Sequence, residues 1–201
     1  MLDTLIRPLI DPLLNTAGRA LARLGLGADE MTLAGFVAGL TGAVAIWLGE
    51  PLAALGLILA SRLADGLDGA IARATVQTDR GGFLDIALDF IFYGAVPLAF
   101  AFADPHRNAL AAAVLIASFY ANGAAFLAFA IFAEKRGLRT SRQGIKSLYY
   151  LAGLAEGTET ILFFALVCIY PDAFRWMALV FAGFCTVSAI ARIVYAWRSL
   201  R

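Results

Sequence analysis

Asp65-Gly66-Leu67-Asp68-Gly69-Ala70-Ile71-Ala72-Arg73, followed by Gly81-Gly82-Phe83-Leu84-Asp85-Ile86-Ala87-Leu88-Asp89, sets four carboxylates into the most apolar part of an apolar chain. Asp65 and Asp68 stand three residues apart, Asp85 and Asp89 four. On a helix each spacing puts both side chains on one face. The stretches 52–73 and 82–103 are long enough to cross a bilayer as helices, and a short turn at 74–81 makes them antiparallel. At ~1.5 Å per residue, Asp65 and Asp68 fall about 12 and 8 Å from the end of the first helix, and Asp85 and Asp89 about 5 and 10 Å from the start of the second. The depths agree, so the four can converge. Ionised carboxylates do not gather in hydrocarbon without compensation. Divalent cations, which prefer oxygen ligands, supply it.

The surroundings fit a membrane protein. The chain has 201 residues, 61% of them hydrophobic, and a mean hydropathy of +0.80, which places it in the integral-membrane class. Six hydrophobic stretches, near 31–49, 52–73, 82–103, 108–133, 147–170 and 174–197, each suffice for a helical crossing. The breaks between them are short: Gly49-Glu50-Pro51, the turn at 74–81, Asp104-Pro105-His106, the basic loop 134–146 and Pro171-Asp172. Residues 1–25 repeat Leu2, Leu5, Ile6, Leu9, Leu13, Ala17 and Leu21 at helical spacing, with Asp3, Arg7, Asp11, Arg19 and Arg23 between. That pattern predicts an amphipathic helix on the membrane surface and carries no cleavage signature of a signal peptide. The expected fold is therefore an all-α integral membrane protein, with a surface helix at 1–25 and a six-helix catalytic domain at 26–201.

Charge and rare residues narrow the chemistry. Basic residues from Arg7 to Arg23, Arg73, Arg80, the 135–146 loop, Arg198 and Arg201 fall on one side, against Arg107 and Arg175 on the other. The positive-inside rule puts both termini, and with them the carboxylate cluster, on the cytoplasmic side. A single histidine, His106, in an expected loop, excludes two-histidine phosphodiesterase chemistry and a histidine-bound zinc site. Cys168 and Cys185 lie inside apolar segments without metal spacing and read as packed or lipid-facing thiols.

The run Asp65-x-x-Asp68-Gly69-x-x-Ala72-Arg73, a spacer, then Gly81-x-x-x-Asp85-x-x-x-Asp89 resembles the signature of the CDP-alcohol phosphatidyltransferases, with eight fixed positions in 25 residues. The seven residues between Arg73 and Gly81 make a shorter spacer than is usual in that family. The resemblance implies transfer of a phosphatidyl group from a CDP-linked lipid such as CDP-diacylglycerol to an alcohol, with release of CMP. It implies two divalent ions, Mg2+ or Mn2+, on Asp65, Asp68, Asp85 and Asp89, with Asp89 also the catalytic general base. Gly69 admits the substrate where a Cβ would clash, or serves helix packing. Arg73 suits phosphate through its planar fork. Thr78 stands where the family places a CDP-lipid contact. The family's Pro-Asn-x-x-Thr near the cytidine becomes Ala28-Asp29-Glu30-Met31-Thr32. Thr32 is kept, and Asp29 serves either the cytosine amino group or a helix N-terminus. A homodimer is a further implication.

The acceptor side is less defined. Lys146, Tyr150, Gly153, Gly157 and Thr160 share a helical stripe, with Glu156 beside it and Glu159 also inside the fifth span. Arg192 in the sixth span is a possible partner for these acids. The stripe is a candidate acceptor pocket or a polar contact between helices. Arg139, Arg142 and Lys146 suit a phosphorylated polyol, or are ordinary cytoplasmic charge, whereas the glutamates favour a neutral polyol or amino alcohol. Arg62, one turn from Asp65, offsets its charge. The expected setting is a bacterial inner membrane, with lipid and alcohol as partners and no nucleic acid. A competing reading, an intramembrane-carboxylate cation or proton transporter, does not need Gly69 and Ala72-Arg73 at fixed offsets.

Overall fold

The computed structural model describes residues 3–137 and 157–200, and every regular element among them is helical. In chain order these are α1 (Asp3–Arg23), α2 (Ala28–Trp47), α3 (Pro51–Ala74), α4 (Asp79–Ala103), α5 (Pro105–Lys135), α6 (Gly157–Ile169) and α7 (Phe174–Ser199), with a 3-10 turn at Pro171–Ala173 before α7.

The helix ends follow local chemistry. Gly49, at φ 83°, takes the left-handed conformation that lets the chain leave α2. Pro51 opens α3, where its missing N–H would have had no helical partner. Thr78 caps α4, its Oγ1 accepting the Gly81 N–H at 3.0 Å. This cap starts α4 at Asp79, three residues ahead of the span expected from hydropathy. The expected break at 104–106 narrows to Asp104, whose carboxylate accepts the Arg107 N–H at 3.0 Å. His106, expected in a loop, instead stands exposed in the first turn of α5.

Four described helices, α2, α4, α5 and α7, are long and apolar enough to cross a membrane. α3 matches them in length with 24 residues but carries Arg62, Asp65, Asp68 and Arg73. α6 is described over 13 residues. The earlier part of the expected fifth span, 147–156, lies outside the described residues.

α2 packs against both α3 and α4; α4 continues onto α5, and α5 onto α7. α1 and α6 both lie against α3. The core is aromatic and aliphatic, with Ile58, Phe92, Val96, Leu115, Phe164, Val167 and Phe174 fully buried. Phe100 stacks on Phe174 at 4.3 Å, and Phe163 on Phe181 at 4.6 Å. Cys168 and Cys185 are free thiols, both buried. Large apolar side chains such as Val37, Leu59, Leu110, Val180 and Trp197 face outward, as a surface matched to lipid requires.

Two close approaches set the geometry. On α2, a Cβ at Gly35 would lie 2.9 Å from the Ala64 Cβ and 3.2 Å from the Ser61 carbonyl oxygen, and one at Gly39 would lie 2.7 Å from the Phe92 ring. These glycines let α3 and an aromatic of α4 press onto α2. On α5, a Cβ at Gly123 would coincide with the Phe90 ring of α4.

Gly35→Val should therefore push α3 away from α2. A loss of about 1–3 kcal/mol is expected, as for other overpacked sites, read as a lower melting temperature in detergent together with lost activity. Gly56→Ala, where a Cβ meets nothing within 4 Å, should lower neither.

Candidate active site

Arg62, Asp65 and Asp68 follow one another at three-residue spacing along α3, and Asp85 and Asp89 lie on the facing part of α4. Three of the four carboxylates meet: Asp65, Asp68 and Asp85 each offer an oxygen, and these oxygens lie within 4.8 Å of one another. Asp68 is the buried member, 6% exposed. The Thr32 hydroxyl of α2 stands 2.6 Å from its Oδ2 and donates to it. An all-oxygen, all-anionic donor set from two helices fits a hard divalent cation such as Mg2+ or Mn2+.

The fourth carboxylate is held differently. Asp89 Oδ1 accepts from Arg62 Nη1 at 2.7 Å, while the same nitrogen is 3.5 Å from Asp65 Oδ1. Arg62 Nη2 donates to Ser61 Oγ at 3.2 Å, and the guanidinium carbon lies 4.5 Å from the centre of the Phe92 ring. Charge pairing, a hydroxyl and a ring face together fix this arginine between the helices. The sequence pointed to Arg62 as a partner for Asp65; its shorter contact is with Asp89. A water-sized space of about 10 Å³ is lined by Arg62, Asp65, Asp85 and Asp89 together.

A larger cavity, about 580 Å³, opens beside the carboxylates between the start of α2, the end of α3 and the start of α4. Asp68 and Asp85 line it, together with Thr32, Gly69, Thr78 and Asp29. Asp29 is paired through Oδ2 with Arg80 Nε at 3.1 Å. Its neighbour Glu30 accepts the Gly27 N–H at 2.8 Å, so the entry to α2 is capped by the second acid, leaving the first beside the cavity. Thr78 is both the α4 cap and part of the wall.

Arg73 stands beside Gly69, a residue of the cavity wall. Its Nε and Nη2 donate to one acceptor, Asn15 Oδ1 of α1, at 3.2 and 2.9 Å. Its Nη1 lies 3.2 Å from the place a Cβ on Gly69 would occupy. The absence of that Cβ gives the guanidinium its room. Nothing in the sequence singles out Asn15, since an asparagine on a surface helix carries no signal of its own.

Of the residues expected on the acceptor side, Arg139, Arg142, Lys146, Tyr150 and Glu156 lie outside the described residues. Arg192 is described: its guanidinium stands 5.1 Å over the Phe126 ring, on α7 against α5. Glu159 borders an apolar groove between α6 and α7, with Leu162, Trp176 and Phe184.

Residues 26–192 match the sequence profile of the CDP-alcohol phosphatidyltransferases. The chain belongs to that family. Over 201 residues it is 46% identical to inner membrane protein YnjF of Escherichia coli, spanning 100% of this chain and 98% of that one. It is 28% identical to the archaetidylinositol phosphate synthase of Methanothermobacter thermautotrophicus, over 98% of this chain and 92% of the other. In fold it is similar to the phosphatidylinositol phosphate synthase PgsA1 of Mycobacterium tuberculosis, solved with CDP-DAG bound, with a TM-score of 0.72 at 23% identity over 92% of this chain and 94% of that one. The same synthase in complex with manganese and citrate gives 0.66 at 21% identity, over 92% and 88%.

As a CDP-alcohol phosphatidyltransferase the chain is an enzyme that moves a phosphatidyl group from a CDP-linked lipid to an alcohol, which sets the transporter reading aside. The joined carboxylates of α3 and α4 fit the metal site such a transfer calls for.

The Thr32 hydroxyl supports a carboxylate of that site from a third helix. Thr32→Val should weaken Mn2+ binding by about 10- to 100-fold, as loss of a partner behind a ligand does elsewhere. Titration followed by the electron paramagnetic resonance of free Mn2+ checks it.

Proposed function

We propose that this transferase acts on CDP-diacylglycerol or a closely related CDP-lipid and joins its phosphatidyl group to a phosphorylated polyol of the inositol phosphate kind. The observation that carries the proposal is the meeting of Asp65, Asp68 and Asp85 beside an arginine-held Asp89, at the wall of a cavity large enough for a nucleotide. The acceptor class is supported by the full-length relationship to an archaetidylinositol phosphate synthase. The basic run Arg139, Arg142 and Lys146, with Tyr150, Glu156 and Arg192, is the proposed acceptor region.

The roles divide as follows. Asp65, Asp68 and Asp85 would hold the divalent cation, Mg2+ or Mn2+. A second ion would add Asp89 through the oxygen that Arg62 does not hold. Such a cation, when bound, supplies positive charge against the charge that grows on the departing CMP phosphate. Asp89 takes the proton of the acceptor hydroxyl, and Arg62 keeps its carboxylate turned for that task by a charge-assisted bond. Arg73 binds phosphate at the cavity edge, with Gly69 leaving room for it. Asp29, Thr32 and Thr78 line the nucleotide side.

The membrane arrangement is part of the same reading. α3 and the hydrophobic stretch 147–170 join α2, α4, α5 and α7 to make six crossings, with residues 1–25 as a surface helix and 26–201 as the catalytic domain. Charged side chains of α3 are tolerated because they face the site rather than lipid. The basic loops support a cytoplasmic side for both termini and the cavity mouth, where CMP and a phosphorylated polyol are soluble. The relationship to an inner membrane protein supports a bacterial inner membrane. A homodimer is proposed on the family resemblance.

CMP release from CDP-diacylglycerol, with Mg2+ or Mn2+ and a panel of inositol phosphate, glycerol phosphate, inositol and glycerol, tests the reading and names the acceptor. Inositol phosphate is expected to support the fastest release. Asp89→Asn should slow release by about 10²- to 10⁴-fold, the usual effect of losing a general base, while Mn2+ still binds. No CMP release with any of these alcohols, or an Asp89→Asn variant as fast as the parent, would falsify it.

A further inference from the structure

Helix α1 lies outside the residues that match the family profile, 26–192, yet it reaches the site. Its docking on α3 is close. A Cβ at Gly18 would lie 2.6 Å from the Ala70 Cβ and 2.8 Å from the Ala70 carbonyl carbon, and a Cβ at Gly66 would lie 2.8 Å from Leu14 Cδ1. At Gly18 the helix backbones therefore approach as only glycine allows, while Gly66 leaves room for the Leu14 side chain. That approach brings Asn15 within hydrogen-bond reach of Arg73, whose Nε and Nη2 both donate to its Oδ1 at 3.2 and 2.9 Å.

The consequence for Arg73 is directional. An arginine at the end of a helix is exposed and free to swing, and it is planar, so fixing one edge of the guanidinium fixes the other. Asn15 takes the Nε–Nη2 edge. The remaining nitrogen, Nη1, lies over Gly69, one turn back along α3, and makes no hydrogen bond among the described residues. Gly69 in turn lines the cavity beside Asp68. The arrangement leaves an N–H pair of Arg73 beside Gly69, on the wall of the cavity, before any ligand arrives.

We infer that Asn15 is a positioning residue for CDP-lipid binding: it holds Arg73 so that Nη1 meets a phosphate oxygen at Gly69, which makes α1 a working part of the donor site. This rests on the reading of Arg73 as a phosphate ligand. Pre-orientation lowers the ordering cost of binding rather than the barrier of the chemical step, so the effect belongs in donor affinity and not in turnover.

The test uses the full chain in detergent. CDP-diacylglycerol affinity is measured with Mn2+ present in the Asp89→Asn background, where turnover is suppressed, and kcat and KM for donor in the wild-type background. Asn15→Leu, which keeps the size and removes the acceptor, and Asn15→Ala should each raise the donor Kd and KM about tenfold, the scale of a hydrogen bond to a charged group. kcat should change by less than about twofold, and Asn15→Asp, which keeps an acceptor oxygen, should stay within about twofold of the parent. Combined with Arg73→Gln, Asn15→Leu should add nothing, because the two act as one unit.

Three results would overturn the inference. One is an unchanged Kd in Asn15→Leu and Asn15→Ala while Arg73→Gln loses affinity. Another is a full additive loss in the double variant. The third is an equal loss in all three Asn15 variants with a lowered melting temperature, which would make Asn15 a packing residue only. An Arg73→Gln chain that binds donor like the parent would instead overturn the phosphate reading beneath it.

Discussion

The guanidinium of Arg62 lies between two acidic helices and is the contact on which the site depends. Carboxylates brought together among apolar helices repel one another and lack water to screen them, so they persist only with positive charge or donors close by. Arg62 reaches Asp89 on α4 and Asp65 on its own helix and rests on the ring of Phe92. Phe92 is itself fully buried and pressed against Gly39 of α2. The helix without acidic members of the cluster therefore sets the spacing of the two that carry them. The polar link Thr32–Asp68 works in the same direction, tying α2 to the deepest of the carboxylates.

This arrangement separates the four aspartates into three that share one point and one that answers to an arginine. Members of a uniform cluster would all serve a cation equally. Here geometry gives Asp89 a distinct neighbour and a distinct orientation. Around this centre the described helices divide the work. The acidic pairs, the cavity and the arginine edge come from α1 to α4, while the buried phenylalanines come from α4, α6 and α7.

Much of this was readable in the chain itself. The three- and four-residue spacings and the matching depths of the aspartates placed them on facing helices, and Asp65, Asp68 and Asp85 do meet. Hydropathy located five of the six expected stretches to within a few residues of α2, α3, α4, α5 and α7, missing chiefly where a side chain moved an end, as Thr78 does for α4, while the start of the fifth stretch lies outside the described residues. Periodicity within one helix shows which side chains share a face, but not which reach across to another. For that reason Arg62 read as a partner of Asp65 three positions on, and its tighter bond to Asp89, 27 positions away, was invisible. Asn15 was hidden for the same reason: its meaning comes from a helix packed 58 positions later. His106 read as a loop residue because Asp-Pro suggests a break, whereas the Asp104 side chain turns that break into a helix start.

The entry of the Phe90 ring into the notch at Gly123 bears on more than packing. A ring seated in a notch opposes sliding along the helix as firmly as it opposes rotation, and Phe90 is the residue next to Asp89. The longitudinal setting of the Asp89 carboxylate is thus referenced to α5, much as a machined part is located from a datum on a neighbouring block. Wear on that datum would misplace the carboxylate without touching any residue that contacts it.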